Sequence, residues 1–139
     1  MIDVENLVFT KVAEAVRTAF PDTFVSAEYT DIPARFPAVT ITEADNRIYD
    51  RMRTTVIENA VDVMYEVNVY SNKAAGKKTE AKEIMNAVDA AFCNLGFTRQ
   101  MRQQVPNLND ARIYRVVARY QAVIAPGSQQ DEYVVYQSD

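Results

Sequence analysis

Few residues in this chain have the chemistry for catalysis. The only cysteine, Cys93, would need a base to become a nucleophile, and the sequence contains no His to act as one. Helical spacing puts Cys93 on a flank beside Lys82, Asn86 and Asp89, so a partly covered, inert thiol is expected. Without His or a Cys-x-x-Cys pair, no metal site is expected, and the lone Cys excludes an internal disulfide. Gly76-Lys77-Lys78-Thr79 resembles the end of a phosphate-binding loop, but the upstream glycine and a preceding apolar parallel strand are both missing. Two carboxylate pairs have spacing suited to acid–base work. Glu80 and Glu83 fall in the first turns of a helix, where acids meet the helix dipole favourably. Asp62 and Glu66 fall on the outward face of a strand, with no apolar pocket in sight to raise a pKa. Both pairs are read as structural; no catalytic residue and no cofactor is expected.

The densest basic cluster is Arg47, Arg51 and Arg53, interleaved with Tyr49. Asp45 and Asp50 lie among these arginines, which weakens a nucleic-acid reading and leaves a solvated arm, a protein-interface arm or a DNA contact. The whole chain of 139 residues carries a net charge of −4, the wrong sign for bulk affinity to phosphate. That sum hides a gradient. Residues 1–72 hold 6 bases and 12 acids, 97–124 hold 5 bases and 1 acid, and 125–139 hold 3 acids and no base. Charge segregated in this way suits packing between copies, unless folding reunites the halves inside one molecule. Eight tyrosines and no tryptophan fit wettable sheet faces and interfaces, because Tyr buries area while keeping a polar end.

The elements that must position these groups follow from periodicity. Asp3 to Phe20 reads as a helix capped by Asp3 and stopped by Pro21, with Val4, Val8, Val12 and Val16 on one arc and Leu7 off it. Thr23–Tyr29 and Ala38–Glu43 read as strands separated by a turn containing Pro33 and Pro37. Asp45–Thr55 reads as an extended hairpin arm or long loop. Asn59–Tyr70 has the cleanest alternation, with Val61, Val63, Tyr65, Val67 and Val69 facing inward and a mixed, acidic outer face. A second helix opens near Thr79 and closes at Leu95-Gly96-Phe97, Gly96 giving the left-handed stop and Phe97 folding back on Phe92. Phe97–Val105 and Ile113–Ile124 are the next strands, separated by a turn at 106–110. If the last long strand pairs with Asn59–Tyr70, Arg115 and Arg119 meet Asp62 and Glu66 across the sheet. Asp131–Tyr136 reads as a short, detachable strand. The expected fold is therefore α+β, of order α-β-β-β-α-β-β: a mainly antiparallel sheet of four to five strands with two helices on one face. Residues 1–126 form the domain and 127–139 a C-terminal tail. The acidic start at Met1–Glu5 lacks the features of a signal peptide, and no run approaches the roughly 18 apolar residues of a membrane span, so a soluble protein made in a cytoplasm is expected.

The order and spacing of these features resemble the tail terminator, or tail completion, proteins of long-tailed bacteriophages and prophages. The resemblance rests on the helix ending at Phe20-Pro21, then Phe36-Pro37-Ala38-Val39-Thr40-Ile41 leading to Glu43-Ala44-Asp45-Asn46. It continues through Glu58-Asn59, Tyr65-Glu66-Val67-Asn68-Val69-Tyr70, Leu95-Gly96-Phe97 and Ile113–Tyr120. It implies a virion protein, assembled in the host bacterial cytoplasm, that forms a homo-oligomeric, commonly hexameric ring on the tail tube protein. Such a ring stops tube growth and joins the tail to a head-tail connector or stopper, while DNA passes the lumen without specific binding. It also implies interface roles for the arm at Arg47, Tyr49, Arg51 and Arg53 and for Tyr133, Val134, Val135 and Tyr136. The cross-strand groups Asp62, Glu66, Arg115 and Arg119 are further interface candidates. The alternatives are another protein-interaction adaptor, or a small-molecule-binding or enzymatic domain using a cleft between sheet and helices.

Overall fold

Helix α1 (Glu5–Ala19) buries Val8, Val12, Ala13 and Val16, the arc that its spacing requires, and leaves Leu7 43% exposed. Its cap position falls on Val4, one residue later than expected. Asp3 still contributes, its Oδ1 accepting the Glu5 N–H at 3.1 Å. The computed structural model describes residues 3–48, 60–107, 110–126 and 133–135. Among them the sheet strands are β1 (Phe24–Ser26), β2 (Ala38–Ile48), β3 (Val61–Ser71), β4 (Thr98–Gln104), β5 (Tyr114–Pro126) and β6 (Tyr133–Val135), with helix α2 (Lys77–Asn94) between β3 and β4.

The sheet runs β1-β2-β3-β5-β4, with β6 pairing β5. All pairs are antiparallel except β1 with β2, so the expected α+β architecture stands with one parallel pair at its edge. Register places Val39, Val69 and Val116 in one row, and Ile41, Val67 and Ala118 in the next. These inner-face residues form one core with the buried faces of α1 and α2, so both helices lie on the same side. On that side Phe92 stacks on Tyr120 at 4.2 Å, and Phe97 meets Phe92 edge-on at 5.3 Å.

The end of α2 follows the expected left-handed cap. Phe97 donates to the Phe92 carbonyl and Gly96 to that of Cys93, both at 3.0 Å, with Gly96 at φ +89. The start differs: α2 begins at Lys77, two residues before Thr79, after Gly76 at φ +89. Cys93 is exposed rather than partly covered.

Strands β1 and β2 also end away from expectation, each for a local reason. β1 stops at Ser26 because Ser26 Oγ accepts the Glu28 N–H at 3.1 Å, turning the chain before Tyr29. β2 continues to Ile48, so the Asp45 end of the expected arm is paired strand; residues 49–55 lie outside the described residues. β6 pairs Val135 with Ile124 and Val134 with Ala125. Ile124 also pairs Val61 on its other side, and the β4 pairing reaches no further along β5 than Gln121, so β6 takes the β4 side of β5. Val135 packs there against the core, its side chain directly over Gly96.

Candidate assembly surface

The outer face of the sheet gathers the charged candidates, and a β-bulge decides which of them meet. Before the bulge Thr42 pairs Glu66 and Glu43 pairs Tyr65; after it Asp45 pairs Met64 and Arg47 pairs Asp62. The extra residue is Ala44. Because side chains alternate with period two, one added residue moves Asp45 and Arg47 from the inner side, shared by Val39 and Ile41, to the outer side. Without it, both charges would face the helices.

Three polar groups line this face from one end to the other. At the first, Asp62 accepts from Gln121 Nε2 at 2.7 Å and lies 3.6 Å from Arg47 Nη2. Arg47 keeps 70% of its side chain exposed, so that pair is loose. In the middle, Arg119 Nη2 reaches Glu66 Oε2 at 3.1 Å, the cross-strand pairing expected from sequence. At the third, Arg115 corrects the expectation. It does not meet Asp62 or Glu66; its Nε donates to Asn68 Oδ1 at 2.8 Å, and its guanidinium lies over the Tyr29 and Tyr70 rings at 5.3 and 5.8 Å. Arg115 pairs Tyr70 in register, at the end of β3 far from Asp62.

That third group is roofed by the chain between β1 and β2. Tyr70 Oη donates to the Thr30 carbonyl at 2.6 Å, and Asn107 Nδ2 donates to that of Asp31 at 2.7 Å. Tyr70, Ala38 and Ile113 form a small second core with Phe24 and Phe36 against it. Burial pushes the Tyr70 phenol up to about 12. Asn68 is 0% exposed beneath this cover, so the outer face is acidic and open at one end but closed at the other. The alternation of β3 and β5 puts Asn68, Tyr70 and Gln121 on this face from sequence, but only the register shows them as partners of Arg115 and Asp62.

On the inner side, two tyrosines bury their rings and send their hydroxyls to carboxylates at the rim. Tyr120 donates to Asp89 Oδ1 at 3.0 Å and Tyr65 to Glu43 Oε1 at 3.4 Å; burial, then the facing charge, raises both phenols. Glu43 is itself raised, by burial first and then by the charges of Glu5 and Asp3, while Asn46 and Tyr65 hydrogen bonds oppose the shift.

Of the remaining candidates, Tyr49, Arg51, Arg53 and Tyr136 lie outside the described residues. Tyr133 and Val134 are placed by backbone pairing alone, beside Pro126 and Ala125. Among the described residues no group of three or more His, Cys, Asp or Glu could hold a metal, and no helix is long and apolar enough to cross a membrane.

Compared with known proteins, the chain matches the family described as tail completion protein gp17 over residues 9–125. Among solved structures it is similar to the sheath/tube terminator, in the extended state, of PVC, an extracellular contractile injection system. The two are 14% identical with a TM-score of 0.48, the likeness covering 96% of this chain and 61% of that one. The chain therefore spans less than two thirds of that protein's length. No curated protein matches it.

Proposed function

The chain belongs to the tail completion protein gp17 family, and from that premise we propose that it is a structural tail terminator of a phage-like particle. Several copies, six in this reading, close into a ring on the head-proximal end of the tail tube, stop its growth and offer a surface to the head-tail connector or stopper. The genome passes the lumen without specific binding, and assembly takes place in the host bacterial cytoplasm. The work is shape and contact, with no catalytic step.

One observation carries this reading: the family match runs from within α1 to β5, across both helices and the five strands of the main sheet path. Residues 1–126 are the folded unit in this proposal and 127–139 a C-terminal tail, of which Tyr133–Val135 pairs with β5. Arg47 is the cross-strand cation with most of its side chain in solvent, whereas Arg115 is occupied by Asn68 and two rings. Contacts to the tube or to a neighbouring copy therefore fall on the Arg47 end, with Tyr49, Arg51 and Arg53 beyond it, and on the segment Tyr133–Tyr136. Asp62, Glu66 and Arg119 hold that end of the sheet in place.

Light scattering coupled to size exclusion, followed by negative-stain imaging with and without tail tubes, tests the proposal. Rings, alone or capping tubes, are expected. A protein that remains monomeric with its tubes present refutes it.

A further inference from the structure

A groove of about 640 Å³ runs between α2 and β4, lined by Lys78, Lys82, Arg99, Arg102, Gln104 and Tyr114 among others. Four cations converge there because two periodicities coincide. Lys78 and Lys82 stand one helical turn apart, and an irregularity between Arg99 and Met101 puts Arg99 and Arg102 opposite Tyr120 and Ala118, on the helix side of the sheet. The two arginines are held in place. Arg99 Nη1 lies 3.3 Å from Asp89 Oδ1, and Arg102 donates to Asn86 Oδ1 at 2.8 Å and to the Lys82 carbonyl at 3.3 Å. Lys78 and Lys82 are exposed and form no ion pair among the described residues. β4 is the last strand of the main sheet path, so this basic groove lies at an open edge.

The other side of the same molecule has the opposite sign. The start of α1 brings Asp3 and Glu5, both exposed, towards Glu43 on β2, close enough for their charges to act on its carboxyl. The exposed Leu7 is on the same stretch of helix, and the exposed Ile48 ends β2. The acidic side thus combines unpaired charge with apolar surface, the composition of a contact patch.

We propose that the α2–β4 groove is a docking surface for the acidic α1–β2 edge of a second copy of this chain. Complementarity within one sequence favours a copy over nucleic acid: the whole chain is at −4, the wrong sign for bulk affinity to phosphate, while its own acidic side matches the groove. Two different patches on opposite sides make the contact heterologous. Each added copy leaves one groove and one acidic edge unused until the chain of copies closes. The inference rests on the ring reading above and names the surfaces that such a ring would join.

Charge reversal in both partners tests it with the full chain. Lys78→Glu/Lys82→Glu gives a copy acidic at both surfaces, and Asp3→Lys/Glu5→Lys gives one basic at both. Each alone should associate at least about tenfold more weakly than the wild type by light scattering. An equal mixture should recover assembly, because each groove then meets an edge of opposite sign. Circular dichroism checks that each variant folds. Should loss of the Asp3 hydrogen bond melt the second variant, Glu5→Lys alone serves in its place. Wild-type assembly that is indifferent to both reversals overturns this inference and leaves the ring reading standing. A wild type that is monomeric even with tubes overturns both. Two folded variants that weaken assembly but fail to rescue each other, or a groove reversal that abolishes oligonucleotide retention and leaves assembly intact, also overturn the inference.

Discussion

Replacing Gly96 with Ala separates two costs that coincide at one position. Gly96 and Gly76 share a φ of +89, but a β-carbon at Gly76 would meet nothing within 4 Å. At Gly96 it would fall 2.9 Å from Val135 Cγ2, 3.1 Å from Val135 Cβ and 3.3 Å from Val135 Cγ1. A left-handed backbone costs Ala about 1–2 kcal/mol, and the stiffer unfolded chain offsets about 0.4–1 kcal/mol of that. Gly76→Ala should therefore lose about 1 kcal/mol. Gly96→Ala has the same cost plus about 1–3 kcal/mol of overpacking, because Val135 is branched at the atom in the way and has no flexible end to swing aside. The expected loss is about 2–4 kcal/mol, unless β6 lifts off first and caps it.

A second substitution distinguishes steric conflict from backbone strain. Val135→Ala removes both γ-carbons and leaves only the Cβ at 3.1 Å, so Gly96→Ala in that background should lose most of its overpacking cost and approach the Gly76→Ala value. Urea unfolding followed by circular dichroism, at one fixed protein concentration, gives the four stabilities of the cycle and the Gly76 control. Amide exchange at residues 124 and 125, the partners of β6, reports whether that strand has detached. Equal losses at Gly96 and Gly76, or additive effects of Gly96→Ala and Val135→Ala, would refute the docking of Val135 over the end of α2.

Other substitutions probe the sheet faces. Arg115→Ala strips the side-chain oxygen of the fully buried Asn68 of the donor it has from Arg115 and should cost about 1–3 kcal/mol. Arg119→Ala breaks an exposed pair and should cost at most about 1 kcal/mol; urea midpoints check the order, and the reverse order contradicts the assigned partners. Tyr70→Phe loses the hydrogen bond to the Thr30 carbonyl, with an expected loss of about 1 kcal/mol and faster amide exchange over residues 27–37. Glu43→Gln should alter the pH dependence. A carboxyl raised from 4.5 binds more protons in the fold than in the unfolded chain above that pH, so wild-type stability falls as pH rises through the window. Gln keeps acceptors for Tyr65 and Asn46 but does not titrate, so thermal melts should favour the variant at pH 7 and show little difference below 4.5; an unchanged profile argues against the raised carboxyl.

The legible parts of this fold are those governed by local rules. Leu95-Gly96-Phe97 specified the end of α2, and the alternation from Val61 to Val69 specified the inner face of β3, because both signals are complete within a few residues. β2 beyond Glu43 was not legible: the bulge at Ala44 breaks the period, so a paired strand with one inserted residue reads as an irregular arm. The parallel pairing of β1 with β2 leaves no local trace. Arg119 was matched to Glu66 because a single assumption, adjacency of β3 and β5, fixes it. Arg115 was misplaced because its partner depends on which end of the face the chain near Thr30 covers. The basic groove was missed because its four cations belong to two elements, and only tertiary packing brings Lys78 and Lys82 opposite Arg99 and Arg102.

The strand order explains why folding does not cancel the charge gradient of the sequence. Acid-rich β2 and the start of α1 lie towards one side, base-rich β4 lies at the other, and β3 with β5 is the seam between them. At that seam Glu66 and Arg119 are a salt bridge between the two halves. Three strand spacings of about 4.8 Å separate β2 from β4, about 14 Å. That exceeds the Debye length of about 8 Å at physiological salt, so the acidic and basic edges of one copy scarcely interact. Their charges consequently contribute little to the stability of the monomer, and reversing them should leave its melting temperature nearly unchanged. The same charges act strongly only when another body brings them into contact. A stability-neutral reversal that abolishes assembly would therefore place the purpose of the gradient between copies and not within one.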